Sequence, residues 1–257
     1  MKMITLTRNH TCEEPIDVSS LRLDHLLPLS ETEIAKLRLP SCRNVELGEL
    51  FQVESRSSKN AVPRLNLRGD CHRVHHLGHQ HREGAIHIEG DVGDFCGDCM
   101  TGGTITVEGN AGDHLGGPTG TRSIGMNGGL LTVHGSVGDF AGHRMRRGEI
   151  RIAGNAGDSL GAWQVAGTIV VGGTVGRHLA YAMRRGTVVL STPVQLAVNR
   201  FTAAIEIETP FQQLLFQRGD LANSLPDSKL ADSTNPWLVS RGDRAVNGIG
   251  EVWQRGQ

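Results

Sequence analysis

The sequence predicts an all-β fold, and three observations carry that expectation. Gly84, Gly103, Gly129, Gly148, Gly167 and Gly186 each open a segment of one recurring pattern, at steps of 19, 26, 19, 19 and 19 residues. Within the segments two apolar positions alternate: Ile86/Ile88, Ile105/Val107, Leu131/Val133, Ile150/Ile152, Ile169/Val171 and Val188/Leu190. A period of two puts all of them on one face of a strand. Glycine makes up 34 of 257 residues while aromatic residues are 4%, a bias that suits many tight turns around an aliphatic core and not a helical bundle. Together these describe a right-handed single-stranded β-helix, a solenoid with coils of about 19 residues. Strands stacked at about 4.8 Å would make a prism roughly 30 Å long. The expected boundaries are an N-terminal cap at 1–60, the β-helix at 61–192 and a C-terminal cap at 193–257.

Taken in order, residues 4–6 read as a short strand. Ser30-Glu31-Thr32-Glu33 has the spacing of a capping box ahead of a helix at 34–37, which Pro40 ends. Residues 45–53 read as another strand, followed by a polar linker at 55–60. RLNLRGDCHRVHHLG fits a degenerate first coil with Leu65 and Leu67 as its alternating pair. In the regular coils, Gly90, Gly109, Gly135, Gly154 and Gly173 mark one corner, and Gly93, Gly112, Gly138, Gly157 and Gly176 another. Positive φ is the expected reason for glycine there. The 26-residue step is the same unit with a seven-residue insertion at 118–124. Outward positions run from His87, Thr106, Thr132 and Arg151 to Val170 and Val189, so the outer face of the later coils should be covered. Beyond Gly186 the pattern decays, since Thr192 and Gln195 replace glycines and Pro193 stops pairing. The remainder reads as a strand at 201–207, a helical turn at 211–216 and a polar irregular stretch at 221–235. A final segment at 239–253 carries two glycine turns and two apolar patches.

Charge narrows the partners. With 26 basic against 27 acidic residues the formal net charge is −1, so no global field draws the chain to nucleic acid or an anionic membrane. The opening MKMITLTRNHTCEEP lacks the apolar core of a signal peptide, and no stretch is long enough to span a bilayer, so a cytoplasmic, membrane-free location is expected. The five cysteines are odd in number and scattered, which points to reduced thiols.

Four groups of residues could carry chemistry. Cys71, His72, His75, His76, His79, His81 and His87, with Cys96 and Cys99, have the donor types zinc prefers. The register argues against it: Cys96 takes the place of Leu115, Ala141, Leu160 and Leu179 in other coils, so core thiols and solvated histidines are expected and no metal. Asp94, Asp113, Asp139 and Asp158 form a column that suits capping of turn amides better than calcium, because the period is not that of a calcium-binding roll. Met100, Met126, Met145 and Met183, each three residues before an opening glycine, read as core filler. MRRG occurs twice, two coils apart, so Arg146, Arg147, Arg184 and Arg185, with Arg144 and Arg177 alongside, would form a guanidinium ridge. Such a ridge is either a solvated stripe or a docking surface for an acidic partner or a polyanionic cofactor. Phosphate-loop, nucleophile-elbow and zinc-protease motifs are absent, and the sequence nominates no catalytic residue.

GTITVEGNAGDHLG and its sister coils resemble the GxGxG β-helix shared by the C-type subunit of formylmethanofuran dehydrogenase and the C-terminal domain of the glutamate synthase large subunit. The former is the better match. ITL at the start, LSETEIAKLRLP followed by VELGELFQVE, the coils from Gly84 to Gly186, the insertion GGPTGTRSIGMNGG and the ending RGDRAVNGIGEVW all look like that C-type subunit. The resemblance implies a noncatalytic structural subunit, of C type, in a formylmethanofuran dehydrogenase or in its bacterial relative, the formyltransferase/hydrolase complex. Its partners would be the other subunits, which perform the reactions. Its setting would be one-carbon metabolism linked to tetrahydromethanopterin. Methanofuran, or a similar furan cofactor bearing glutamates, would then act at the level of the complex, with no cofactor assigned to this chain. The Cys/His-rich first coils and the loss of glycine in the last one depart from the pattern. Two other readings stand beside it: a glutamate-synthase-like spacer, and a polysaccharide-active β-helix enzyme with its site on the outer face.

Overall fold

The computed structural model describes residues 1–9, 14–39, 45–57, 62–120, 123–207 and 236–256. It is mostly β, with three short α-helices, a 3-10 turn at Arg244–Val246 and one large, mostly parallel sheet among the described residues. The N-terminal elements are β1 (Lys2–Arg8), β2 (Ile16–Asp17), α1 (Leu23–Leu26), α2 (Glu31–Ala35), β3 (Arg38–Leu39), β4 (Val45–Glu46), α3 (Leu47–Leu50) and β5 (Phe51–Ser57). The repeats supply β6 (Arg64–Arg68), β7 (Val74–His75), β8 (Ala85–Ile88), β9 (Thr104–Val107), β10 (Asn127–Val133), β11 (Arg147–Ile152), β12 (Thr168–Val171) and β13 (Thr187–Leu190). β14 (Ile205–Ile207), β15 (Trp237–Gly242) and β16 (Gly250–Arg255) follow.

Twelve strands join in the order β14-β15-β16-β13-β12-β11-β10-β9-β8-β6-β1-β5. Within this sheet every pairing from β6 to β13 is parallel and joins equivalent repeat positions: Leu65, Ile86, Ile105, Leu131, Ile150, Ile169 and Val188 lie side by side. β1 adds Ile4 beside Leu65, and β16 adds Val252 beside Val188, so this column of the core crosses nine strands. All nine residues are at most 2% exposed. A second line of parallel bridges joins Cys71, Val92, Ala111, Val137, Ala156 and Val175 in turn. Consecutive repeats therefore touch along two lines. A third buried column, Leu77, Cys96, Leu115, Ala141, Leu160 and Leu179, places Cys96 where the register put it.

The chain ends are built from the same sheet. β1 pairs antiparallel with β5, closing one edge. Ser30 and Glu33 form the expected capping box: Glu33 Oε2 accepts the Ser30 amide at 2.8 Å and Ser30 Oγ accepts the Glu33 amide. The helix it starts, α2, is earlier than expected. The single strand expected at 45–53 is instead β4, the helical turn α3 and β5, because Glu49 Oε1 accepts the Glu46 amide and Gly48 lets α3 approach Ala35 of α2. At the other end Pro193 does not end the sheet. The next strand position passes to β16, while the strand expected at 201–207 shortens to β14. In the RGDRAVNGIG segment the buried Asp243 carboxylate accepts the amides of Ala182 and Ala245 and pairs with Arg200, fastening the C-terminal hairpin to the last repeat. Expectations at Cys12, Pro40, Cys42, 58–60, 211–216 and 221–235 lie outside the described residues. On the outward side Val170 and Val189 are fully buried and cluster with Trp237, Val239 and Trp253, as the apolar drift of the sequence required.

The corner glycines are needed for a reason other than the expected one. Gly112 and Gly157 do not have positive φ; a Cβ at Gly157 would lie 2.8 Å from the Gly138 carbonyl carbon and 2.9 Å from the Asp139 nitrogen. Close approach of neighbouring repeats, not backbone handedness, excludes a side chain there. The aspartate column explains the closeness. Asp94 Oδ1 accepts the Asp113 amide, Asp113 the Asp139 amide, Asp139 the Asp158 amide and Asp158 the Arg177 amide, at 2.7 to 2.8 Å. Each carboxylate thus caps the following repeat rather than its own turn. A parallel ladder runs through Asp91, Asn110, Ser136 and Asn155 to the Thr174 amide.

Met100, Met126, Met145 and Met183 are fully buried, and Gln164 holds the equivalent place between Met145 and Met183. Its Nε2 donates to Gly167 O at 2.9 Å, while its buried Oε1 has no hydrogen-bond partner among the described residues.

Two stability measurements follow. Gly157→Ala should cost about 1–3 kcal/mol in urea unfolding through the forced overlap, whereas Thr106→Ala on the outward face should stay within about 0.5 kcal/mol. Equal losses would mean that neighbouring repeats can part at the corner. Gln164→Met should raise stability by about 1 kcal/mol, because it removes a buried acceptor left unmade and restores the methionine column. A fall in the urea midpoint would show that the bond to Gly167 outweighs that relief.

Candidate functional site

The two MRRG segments come together as the sequence suggested. Arg146 donates its amide to Met126 O, Val165 to Met145 O and Arg184 to Gln164 O, so Arg146, Val165 and Arg184 lie one above another on successive repeats. Arg147, Ala166 and Arg185 form the adjacent line. These six residues border an open groove of about 420 Å³. The four guanidinium groups are exposed and make no ion pair among the described residues. The floor between them is apolar, Val165 being 37% exposed, and the exposed Ile249 donates its amide to Arg184 O.

Arg144 and Arg177 do not belong to this groove. Arg144 is half-buried on another line of the turn, its amide on Ala162 O. Arg177 stands on the aspartate column, where first its amide and then its guanidinium, 3.2 Å from the carboxylate, lower the Asp158 pKa.

The histidines are not solvated as a group, which corrects the sequence reading. His81 is 5% exposed, and burial pushes its pKa down. His75 Nδ1 accepts the Asp94 amide at 3.0 Å, taking the part of an aspartate one repeat before the column begins. His76 and His79 converge on Asp98, with Nδ1 atoms 3.1 and 2.7 Å from its Oδ2. Thr119, from the seven-residue insertion, donates to the same oxygen at 2.5 Å. Burial raises the Asp98 pKa, but the bonds from the histidines and Thr119 outweigh it and hold the carboxyl below its usual range. The hydrogen bond to Asp98 in turn raises the pKa of His76. Cys71 and Cys96 are buried, with burial pushing their thiols up to about 11 and about 12, so neither is a nucleophile near neutral pH.

A column of rings rises from this cluster. His76, Phe95, His114 and Phe140 stack at centroid distances of 4.6, 4.7 and 5.1 Å, with interplanar angles of 12° or less. His143, Trp163 and Tyr181 continue it at 5.3 and 5.1 Å, and the Arg200 guanidinium lies 4.2 Å from the Tyr181 ring centre. Burial pushes His143 down to about 4, with His114 and Arg144 adding to the effect, so its ring is neutral. His76, Phe95, His114 and Phe140 hold φ near 60° although none is glycine. That conformation costs about 1–2 kcal/mol per residue, and ring stacking offsets part of it. The spacing 76, 95, 114 and 140 follows the repeat, so the same count that aligned the strands could have revealed the column.

No protein-family model matches the chain, and no curated protein matches it in sequence. Among solved structures it is similar to a chain of the formyltransferase/hydrolase complex (FhcABCD) from Methylorubrum extorquens, crystallised in complex with methylofuran. The TM-score is 0.80 at 30% identity, covering 98% of this chain and 100% of that one. At 30% identity over nearly all of this chain and all of the other, the protein belongs to the family of formyltransferase/hydrolase complex subunits.

Proposed function

We propose that this chain is the noncatalytic structural subunit, of C type, in a formyltransferase/hydrolase complex, that its repeats wind as a right-handed single-stranded β-helix, and that the arginine groove docks an acidic segment of another subunit. The observation that carries the reading is the end-to-end likeness to a chain of FhcABCD. The opening ITL, the LSETEIAKLRLP segment and the RGDRAVNGIGEVW ending favour the C-type subunit within that family. Two lines of parallel contact at the same repeat step support the winding.

The groove supports docking on physical grounds. Four guanidinium groups without carboxylate partners among the described residues flank an apolar floor, a combination that suits an acidic segment with apolar side chains facing inward. Partner carboxylates would gain paired, partly desolvated contacts there. The furan cofactor of the related complex is a second source of carboxylates if, as the family resemblance implies, it carries glutamates. The other subunits would carry the chemistry.

Purified alone, the chain should neither transfer nor hydrolyse a formyl group of formylated methylofuran; turnover by single-chain material shown to be free of other subunits would end the scaffold reading. The quadruple variant R146A/R147A/R184A/R185A should keep the wild-type unfolding free energy in urea within about 0.5 kcal/mol per site yet assemble more weakly with the other subunits, mimicking raised salt. Unchanged assembly at both low and high salt would make these arginines a solvated stripe. Normal assembly with reduced methylofuran content would move their role to the cofactor.

A further inference from the structure

The cluster at His76, His79 and Asp98 is independent of the arginine groove and is not accounted for by a scaffold held together by aliphatic columns. Asp98 is fully buried. Three polar groups crowd its Oδ2, while its Oδ1 has no hydrogen-bond partner among the described residues. Among those residues no lysine or arginine pairs with it; its ion-pair partners are the two imidazoles. A buried carboxylate is normally balanced by a cation or a metal ion; here two partly exposed imidazoles crowd one oxygen and leave the other unbonded among the described residues.

The geometry supplies the alternative. His76, His79 and Asp98 each offer one ligand atom, all within 4.8 Å of one another. Two ligands on a tetrahedral zinc ion at ordinary bond lengths stand roughly 3.3 Å apart. The distances of 3.1 and 2.7 Å from Oδ2 to the two Nδ1 atoms already lie within about 0.6 Å of that figure. The imidazole planes cross at 82°, so their Nδ1 atoms approach from two directions instead of stacking. Packing holds the first of them: the His76 ring lies 4.6 Å from Phe95 at 12°. Both rings are partly exposed, which leaves a path for an ion and a water.

We propose that His76 Nδ1, His79 Nδ1 and the Asp98 carboxylate bind a divalent transition-metal ion of the zinc class, with solvent as the fourth ligand. Two nitrogens and one carboxylate oxygen suit such a borderline ion better than calcium or magnesium, which favour all-oxygen sets. Each histidine would bind as the neutral ring protonated at Nε2, its Nδ1 proton moved to Nε2 or, from an imidazolium, released to water, with the Nδ1 lone pair turned to the ion. Thr119 keeps its hydrogen bond to Asp98, so the ion fastens the insertion to the first coils. The role is structural and rests on this cluster alone, whichever member of the complex the chain is.

The test uses the untagged full chain, stripped with a chelator and dialysed against Zn²⁺ or Co²⁺. About one ion should bind per chain, the Co²⁺ form should show the intensified visible bands of a four-coordinate site, and the melting midpoint should rise with free Zn²⁺. His76→Gln with His79→Gln, or Asp98→Asn alone, should abolish all three effects. His72→Ala with His87→Ala, at half-exposed histidines beside Asp70 and Glu108, should leave them unchanged. Should the first variants fail to fold, paramagnetic broadening by Co²⁺ in the wild type locates the ion, with Phe95 and Thr119 broadened and His72 sharp. No bound ion in the wild type, equal binding by the His76/His79 variant, or broadening centred on His72 would each overturn the proposal and leave a hydrogen-bonded clasp.

Discussion

Stacking at a fixed step is the constraint on which the rest of the molecule depends. Once Ile105 lies between Ile86 and Leu131, every other residue of the repeat is placed against its counterparts one step away. Aliphatic side chains then fill inward columns with no variation in depth, which accounts for the near-zero exposure along nine strands. The same step lets a side chain on one repeat accept the backbone amide of the next, so the aspartate and Asp-Asn-Ser-Asn ladders replace the hydrogen bonds that a corner would otherwise leave to water. Corner glycines are a consequence of that closeness.

Because the columns are so uniform, departures from them are informative. His81 and Gln164 interrupt the methionine column, and each has a side-chain nitrogen near the carbonyl of the glycine three residues on. Those polar substitutions are compatible with burial because the turn presents an acceptor at the same place. Asp98 and His79 have no such repeat-wide partner among the described residues. They occur only in the first repeats, and the insertion that lengthens the second step is what brings Thr119 onto Asp98. A sequence irregularity and a buried charge therefore coincide in one place.

The arginine groove and the histidine cluster belong to different neighbourhoods of the turn. The first has exposed charge without an ion pair among the described residues, over an apolar floor. The second is nearly closed, and its rings continue into an aromatic column that reaches Trp163 and Tyr181, each about 40% exposed. The ends of the sheet are covered by the chain's own β5 and by the C-terminal hairpin, so the parallel core presents no free edge to solvent at β6 or β13.

Sequence alone determined what repetition controls. Equal spacing assigned the inward pairs, the core position of Cys96, the methionine column, the alignment of the two MRRG segments and the burial of Val170 and Val189, because a periodic structure converts spacing directly into neighbourhood. A local rule was enough for the Ser30–Glu33 box. Tertiary structure alone decided whatever depended on contacts between non-equivalent positions. Val252 takes the strand position after Val188 across 64 residues, α3 interrupts the expected strand because Gly48 meets Ala35, and Gly157 is excluded from bearing a side chain by Asp139 of the repeat before it. The histidine cluster lies between these cases. His76, His79 and Asp98 each have a place in the repeat, but that their polar atoms meet depends on side-chain direction and on the insertion, neither of which a count of residues conveys.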